Sequence, residues 1–443
     1  MGGGLIRAPA MAMPQSGLQI EQAPPFSVPL RFFLTAPAFA LLAAMLLAWR
    51  APEVLASRWT PAALAVVHLL VLGFMTMVMV GAMMQVLPVL AGAPLAKPRL
   101  VAGITHVALA SGTLALAGGF LWSQPALLGA AVTLLGAGFA VFLGAVFHGL
   151  ARAMGKGAAA GEMWLAAIAL AVAVLLGLAL AAARGRGMAV PVIAWRELHP
   201  AWALLGWTGL LVAGVSRQVV PMFQITPPYP RLLARFFAVA VFALLALWSA
   251  AKMLPLAADR AALVPGVMLA AAYALFALVT LELQRRRRRR ASDVTLRFWR
   301  LGMASLAAAA LLWAARLFGV APEGFDAALG ALAVVGAAMS LINGMLYKIA
   351  PFLAWFHLQA GGGGRGMHMK TFLAEARQKR QYALHVAAVL LLLGATLGPA
   401  VLIFPAAACL GLSALLLQSN LAAIVRVYRR ASGHDAGARS AAP

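Results

Sequence analysis

Long apolar stretches recur along the whole chain and decide which class of protein it can form. Of its 443 residues, 64% are hydrophobic and 10% are charged, and the mean hydropathy is +0.93. A water-soluble domain of this size cannot bury so much apolar surface, whereas apolar runs of 18 or more residues are typical of membrane-crossing helices. The sequence therefore predicts an all-α integral membrane protein.

Twelve apolar runs are long enough to cross a bilayer. They cover approximately residues 28–49, 60–90, 100–122, 125–151, 161–183, 198–222, 232–254, 261–283, 298–320, 325–356, 383–403 and 405–428. Residues 1–27 are polar, lack the pattern of a signal peptide and are predicted to be a disordered tail. Residues 431–443 are predicted to be a second tail, so residues 28–430 form a single membrane domain.

One helix pattern occurs three times. Five residues return 133 positions later. After a further 130 positions, three of the five return and a lysine stands at the position of the glutamine. The copies are Gly73, Gly81, Gln85, Pro88 and Pro94, then Gly206, Gly214, Gln218, Pro221 and Pro227, then Gly336, Gly344, Lys348 and Pro351. The copies fall in the second, sixth and tenth spans. Because such repeats reflect architecture, we expect three parallel four-helix units, approximately 28–151, 161–283 and 298–428, related by a pseudo-threefold axis along the membrane normal.

Lysines and arginines are distributed unequally between the two sets of loops. With a cytoplasmic N-terminus, the cytoplasmic segments hold 25 of the 35 cations, the outer loops hold 8, and two lie within spans. This bias predicts a bacterial inner-membrane protein with both termini in the cytoplasm. The formal net charge of +24 sits in short loops beside the headgroups, so the lipid bilayer is the predicted partner and nucleic acid is not.

Two histidines near the outer ends of equivalent spans are candidate cofactor ligands. His68 in span two and His199 in span six lie at matching depths, and imidazole is the commonest ligand for metal ions and a frequent one for haem iron. The alternative is that each is an interfacial histidine bonded to a backbone carbonyl or a headgroup. On straight helices the two rings point into different spaces, so a site shared by both is not expected.

Acidic residues at the outer starts of spans six and ten could complete a metal site with His199. They are Glu197, Glu323 and Asp326. The alternative is that these acids only interact favourably with the positive ends of the helix dipoles. The middle of the spans holds almost no carboxylate, which argues against a cation-coupled transporter.

A second set of candidates lies near the inner ends of the three repeated helices. Gln85, Gln218, Lys348 and Arg217 could line a path for a solute. Alternatively, the two cations snorkel to the cytoplasmic surface or bind an anion or a lipid headgroup, and the glycine-bearing helix face only packs the bundle.

Other kinds of chemistry have little support in the sequence. The single cysteine, Cys409, excludes an internal disulfide and a multi-cysteine metal site. Five methionines between residues 75 and 84 could relay copper, but their spacing spreads them around the helix, as in ordinary apolar packing. No nucleotide-binding fingerprint or catalytic triad pattern occurs.

The helical core resembles the catalytic subunit I of the haem–copper oxidases. The match covers roughly residues 28–430, and its most specific part is the exit loop from Pro88 to Arg99 after the second span. His68, 20 residues before that proline, is similar in position to the family's low-spin haem ligand. His199, followed by Pro200, resembles a copper ligand at the start of the family's sixth helix. The resemblance therefore implies haem at His68 and copper at His199.

The chain departs from that family where oxygen reduction requires histidines. The oxidases carry adjacent histidines between helices seven and eight and a histidine pair in the tenth helix, but neither residues 232–260 nor residues 325–339 contain a histidine here. The resemblance therefore implies a divergent, non-oxidase relative, similar to the NnrS-like membrane proteins associated with nitric oxide. The alternatives are a single haem or copper site in respiratory or nitric-oxide physiology, a cofactor-free transporter or channel for a small solute or metal ion, and an accessory subunit of a respiratory complex.

Overall fold

The chain folds as a bundle of long helices. The computed structural model describes residues 22–153, 158–254, 258–288, 293–321, 324–360, 367–398 and 400–440, and every regular element in these ranges is helical. The long helices are α1 (Ser27–Trp49), α2 (Pro61–Ala91), α3 (Pro98–Leu121), α4 (Pro125–Arg152), α5 (Ala158–Arg186), α6 (Val192–Gln224), α7 (Arg231–Lys252), α8 (Ala258–Arg285), α9 (Val294–Leu317), α10 (Phe325–Ala360), α11 (Glu375–Leu397) and α12 (Ile403–Ser440). A short helix, Ala51–Ala56, precedes α2, and single helical turns precede α11 and α12.

Eleven helices in the described ranges are long and apolar enough to cross a membrane. The prediction of an all-α, multi-pass membrane protein is therefore confirmed. The exception is α11, which overlaps the predicted span 383–403 but starts earlier, at Glu375. Its first two turns carry four charged residues, and its inner side carries Gln381 and His385, both fully buried, which lowers its hydropathy below that of the other helices.

Several sequence predictions fall on residues outside these ranges. They concern most of the N-terminal tail and Glu323. At the other end of the chain, α12 continues to Ser440, through most of the predicted C-terminal tail.

The buried polar side chains of α11 are paired with those of its neighbours. The Gln381 carboxamide accepts a hydrogen bond from the Tyr347 hydroxyl of α10 at 3.2 Å and donates one to Ser413 of α12 at 2.8 Å. Asn420 of α12 donates to the same tyrosine oxygen at 2.9 Å. Because buried polar groups are costly unless they are hydrogen-bonded, this network lets a polar helix side pack inside an apolar bundle.

Replacing Gln381 by alanine is expected to destabilise the bundle. The substitution removes two hydrogen bonds and leaves buried partners unpaired, which costs about 1–3 kcal/mol for each unsatisfied group. The exposed Gln218 provides the matched control, because Gln218→Ala removes the same side chain where water or lipid headgroups replace its bonds. Thermal unfolding in detergent compares the two variants, and equal unfolding temperatures would contradict a stabilising role for the network.

The order in which the helices pack closes the bundle on itself. Helix α4 packs against α5, α8 packs against α9, and α12 returns to pack against α1. The helices are not equally covered, since 72% of the most apolar window of α2 and 67% of that of α10 are buried, against 22% for α7. Helices α2 and α10 therefore lie inside the bundle, and α7 lies at its lipid-facing edge.

The three repeated helices share an unusual local geometry. Each contains a π-helical segment, Leu69–Thr76 in α2, Trp202–Gly209 in α6 and Ala331–Met339 in α10. The second segment starts 133 residues after the first, which is the shift of the sequence repeat. A π-helix bonds residue i to residue i+5 and so winds differently from an α-helix, which changes the faces on which later side chains lie.

The repeated glycines allow close contact with the helix that precedes each repeated helix. A Cβ atom on the first glycine of each copy would lie 2.3 Å from Phe39 for Gly73, 2.8 Å from Ala169 for Gly206 and 2.6 Å from Ser305 for Gly336. The second glycines make equivalent contacts, Gly81 with Phe32, Gly214 with Glu162 and Gly344 with Phe298. Of the two interpretations of the glycine face, these contacts favour helix packing over a pore lining.

Candidate functional site

The two candidate histidines meet at the end of the bundle where α2, α6 and α10 begin, here called the upper end. The imidazole rings of His68 and His199 have centroids 6.1 Å apart, and their planes differ by 11°. The expectation that the rings point into different spaces is wrong. It compared the faces of the two helices as if they were superimposed, whereas side chains on different faces of two helices in one bundle can point toward each other.

Backbone carbonyls fix both rings in the same protonation pattern. Nδ1 of His68 lies 2.7 Å from the Leu64 carbonyl oxygen one turn earlier in α2, and Nδ1 of His199 lies 2.9 Å from the Ala173 carbonyl oxygen of α5. A carbonyl only accepts, so each Nδ1 carries the proton and donates. Each Nε2 then keeps a free electron pair, and no hydrogen bond from the described residues reaches it. This arrangement is the usual one for histidines that bind metal ions.

Apolar and small residues form the walls around the two rings. The Phe120 ring of α3 lies 5.2 Å from the His68 ring, and the Arg184 guanidinium of α5 lies 5.9 Å from the Phe120 ring. A Cβ atom on Gly177 of α5 would lie 2.7 Å from Cε1 of His199, so a larger residue there would displace the imidazole. The histidine pair is therefore held between α2, α3, α5 and α6.

An ionic cluster joins the starts of all three repeated helices above this pair. The Arg58 guanidinium lies 2.8 Å from Glu197 at the start of α6 and 3.3 Å from Asp326 at the start of α10. Arg58 and Arg196 both lie over the Trp59 ring, 4.4 and 4.9 Å from its centroid. The charges of the two arginines and the two carboxylates cancel, and this neutrality lowers the energetic cost of burying part of the cluster.

This cluster changes how the predicted outer metal site is interpreted. The structure does bring Glu197 and Asp326 together, but around the Arg58 guanidinium. Within the described part of the chain, no group of three or more histidine, cysteine, aspartate or glutamate side chains is placed to hold a metal ion. Glu323, the other predicted ligand, lies outside that part. The donors that remain available are the Nε2 atoms of His68 and His199.

The two glutamines predicted to line a solute path have different surroundings. Gln85 of α2 is buried, and its Oε1 has no hydrogen-bond partner. Gln218, its equivalent in α6, is exposed. Gln85 and Gln218 therefore do not line one solute path in the same way.

The two cations predicted for the same path form ion pairs instead of standing free. Nη2 of Arg217 lies 2.5 Å from Oε1 of Glu162, and Nζ of Lys348 lies 2.7 Å from Oδ2 of Asp293. Glu162 was not identified from the sequence, because it stands in the first turns of α5 rather than in the middle of a span. Arg58 was missed because it was counted only as a loop cation.

Two further histidines have side-chain partners and are not free ligands. Nε2 of His106 in α3 lies 2.8 Å from the Thr35 hydroxyl of α1, and Nε2 of His385 in α11 lies 2.9 Å from the Ser340 hydroxyl of α10. Both rings link neighbouring helices.

The function of this chain has to be inferred from the geometry of the site, because two comparisons with known proteins gave no match. A scan against protein-family models found no match, and a search of curated proteins found none either.

Proposed function

We propose that the protein binds a single metal centre, a haem iron or a copper ion, between His68 and His199 near the outer surface of a bacterial inner membrane. The observation that carries this proposal is the histidine pair itself. The rings are nearly parallel, and the Nδ1 of each is held by a carbonyl, so both Nε2 atoms are available as ligands.

The separation of the rings fits one metal ion held by both. A metal–imidazole bond is about 2 Å long, so two imidazoles that share one ion have their ring centres at most about 6 Å apart. The observed separation of 6.1 Å lies at the upper end of that reach. His68 and His199 would hold a haem iron or a copper ion through Nε2. Such a centre would supply one-electron transfer.

The architecture we propose is twelve membrane spans in three units of four. The closed order of packing, the three π-helical segments and the equivalent glycine contacts support it. We count α11 as the twelfth span because its polar inner side is covered by α10 and α12. An even number of crossings and the cation bias support a cytoplasmic location for both termini, which is part of this proposal.

The physiological role we propose is in respiration or in nitric-oxide metabolism. It follows from the resemblance of the helical core to haem–copper oxidase subunit I and to the NnrS-like proteins. The chain lacks the histidines of the oxygen-reducing centre, so we do not propose a terminal oxidase or a nitric oxide reductase.

The direct test is the optical spectrum and the metal content of the purified full-length protein, produced in cells supplied with haem precursor and copper. A bound haem gives a Soret band that shifts on reduction, and bound copper gives about one ion per chain without that band. A colourless protein with neither metal contradicts the proposal.

A second candidate function is transport of a small solute or metal ion without a cofactor. The buried Gln85, whose Oε1 has no partner inside the most covered helix, favours it. Solute flux into liposomes tests it: a path lined by Gln85 and Lys348 predicts that Gln85→Ala and Lys348→Ala slow the flux. Unchanged flux contradicts this function.

Co-purification of partner subunits would instead indicate an accessory role in a respiratory complex.

A further inference from the structure

A cleft lies at the end of the bundle opposite the histidines, here called the lower end. It is formed by α5, α6, α7 and α8, is partly open to the surroundings and has room for about one water molecule. We propose that Glu162, which lines this cleft, is a proton-binding carboxylate with Arg217 as its counter-ion. This proposal does not depend on a metal at the histidine pair.

The pair leaves one polar atom of each partner unused. Arg217 contacts Oε1 of Glu162 and also donates to the Ala234 carbonyl, while Oε2 of Glu162 and Nε of Arg217 are buried without a partner. Only 14% of the Glu162 side chain and 22% of the Arg217 side chain are exposed. A buried site with two unpaired polar atoms can hold a water molecule, which is what a proton needs to reach the carboxylate.

The repeat shows that the fold does not require an acid at this position. Gly81, Gly214 and Gly344 are equivalent glycines, and the side chains that meet them are Phe32, Glu162 and Phe298. Both phenylalanines are fully buried. A carboxylate in place of a buried phenylalanine costs desolvation energy that apolar packing avoids, and ionisable groups within membrane segments are candidates for function by default.

A second ion pair at the lower end shows what a purely structural pair looks like. Asp293 caps the start of α9, where Oδ1 accepts from the Leu296 amide at 2.9 Å, and Oδ2 contacts Lys348. Both of its oxygens are therefore engaged. Glu162 has one engaged oxygen and one free oxygen, in a cleft, and is the better placed of the two to bind a proton.

Few other groups that the structure describes near Glu162 can compete for a proton. Among the described side chains that line the cleft, only Glu162, Arg217 and Tyr229 are ionisable. The Tyr229 hydroxyl shares a hydrogen bond with Thr280 of α8 at 2.9 Å. The side chains of α7 and α8 that line the cleft are apolar. On the other side of α5, the Trp164 ring stacks on Phe147 of α4.

The test is labelling of the full-length protein with dicyclohexylcarbodiimide, which attacks protonated carboxyl groups in apolar surroundings, followed by mass spectrometry of each labelled site. We expect Glu162 to be labelled, with labelling that rises by up to about tenfold per unit decrease in pH while the carboxylate titrates. Arg217→Gln removes the counter-ion and should raise the labelling at a given pH. Asp293→Asn is the matched control and should leave it unchanged.

Labelling of Glu162 that does not depend on pH, or no labelling in either the wild-type protein or Arg217→Gln, overturns the proposal. Infrared spectra provide a second readout. A protonated Glu162 gives a carboxyl band that appears as the pH is lowered. This band must be present in Asp293→Asn and missing in Glu162→Gln. Identical spectra for wild type and Glu162→Gln also overturn it. Neither readout depends on metal content, so the failure of the metal proposal would be seen separately.

Discussion

Replacing His68 or His199 by alanine is expected to weaken metal or haem binding by at least about 100-fold. Loss of an outer-shell partner of a ligand already costs 10- to 100-fold in affinity, and each substitution here removes a ligand itself. The two variants should behave alike, because each leaves one imidazole where the proposed centre needs two. The measurements are the optical spectrum and the metal content per chain of the purified variants.

The exposed His148 provides the control for these variants. It lies in α4, in a membrane helix like the other two, but on the bundle surface, so His148→Ala should keep the wild-type metal content. If His68→Ala and His199→Ala also keep it, the pair is not the site. If only one of them loses the metal, the centre has a single protein ligand, and the shared site is ruled out.

Replacing Gly73 by alanine is expected to destabilise the protein by about 1–3 kcal/mol, the usual cost of overpacking. An added Cβ atom would lie 2.3–2.6 Å from three atoms of the Phe39 side chain, including its own Cβ, which cannot move without the backbone of α1. Phe39 is itself 4% exposed, so the ring has no space into which it can turn. Thermal unfolding in detergent measures the effect.

Gly144→Ala is the matched control for this substitution. A Cβ atom on Gly144 of α4 meets nothing within 4 Å, so the variant should gain up to about 1 kcal/mol from the better helix propensity of alanine. The two substitutions should therefore shift the unfolding temperature in opposite directions. A stabilising Gly73→Ala would show that α1 and α2 pack less closely than the structure has them.

The candidate site was only partly predictable from the sequence. The depth of His68 and His199 along their helices could be counted from the spacing to the repeated prolines, and so both residues were identified. Their meeting could not be predicted, because it depends on how α2, α5 and α6 pack together, which no spacing within one helix reveals. Asp326 was assigned to a metal for a related reason, since nothing in the sequence places Arg58 between it and Glu197.

The sequence alone determined the class of the protein and the repetition along the chain. Hydropathy and the 133-residue shift are properties of the order of residues, and a bilayer leaves an apolar chain little choice except helices. The tertiary structure decided which side chains meet, as His68 meets His199, and Glu162 meets Arg217. These contacts join residues more than 50 positions apart, so they depend on how the helices wind and cross, which local sequence patterns do not specify.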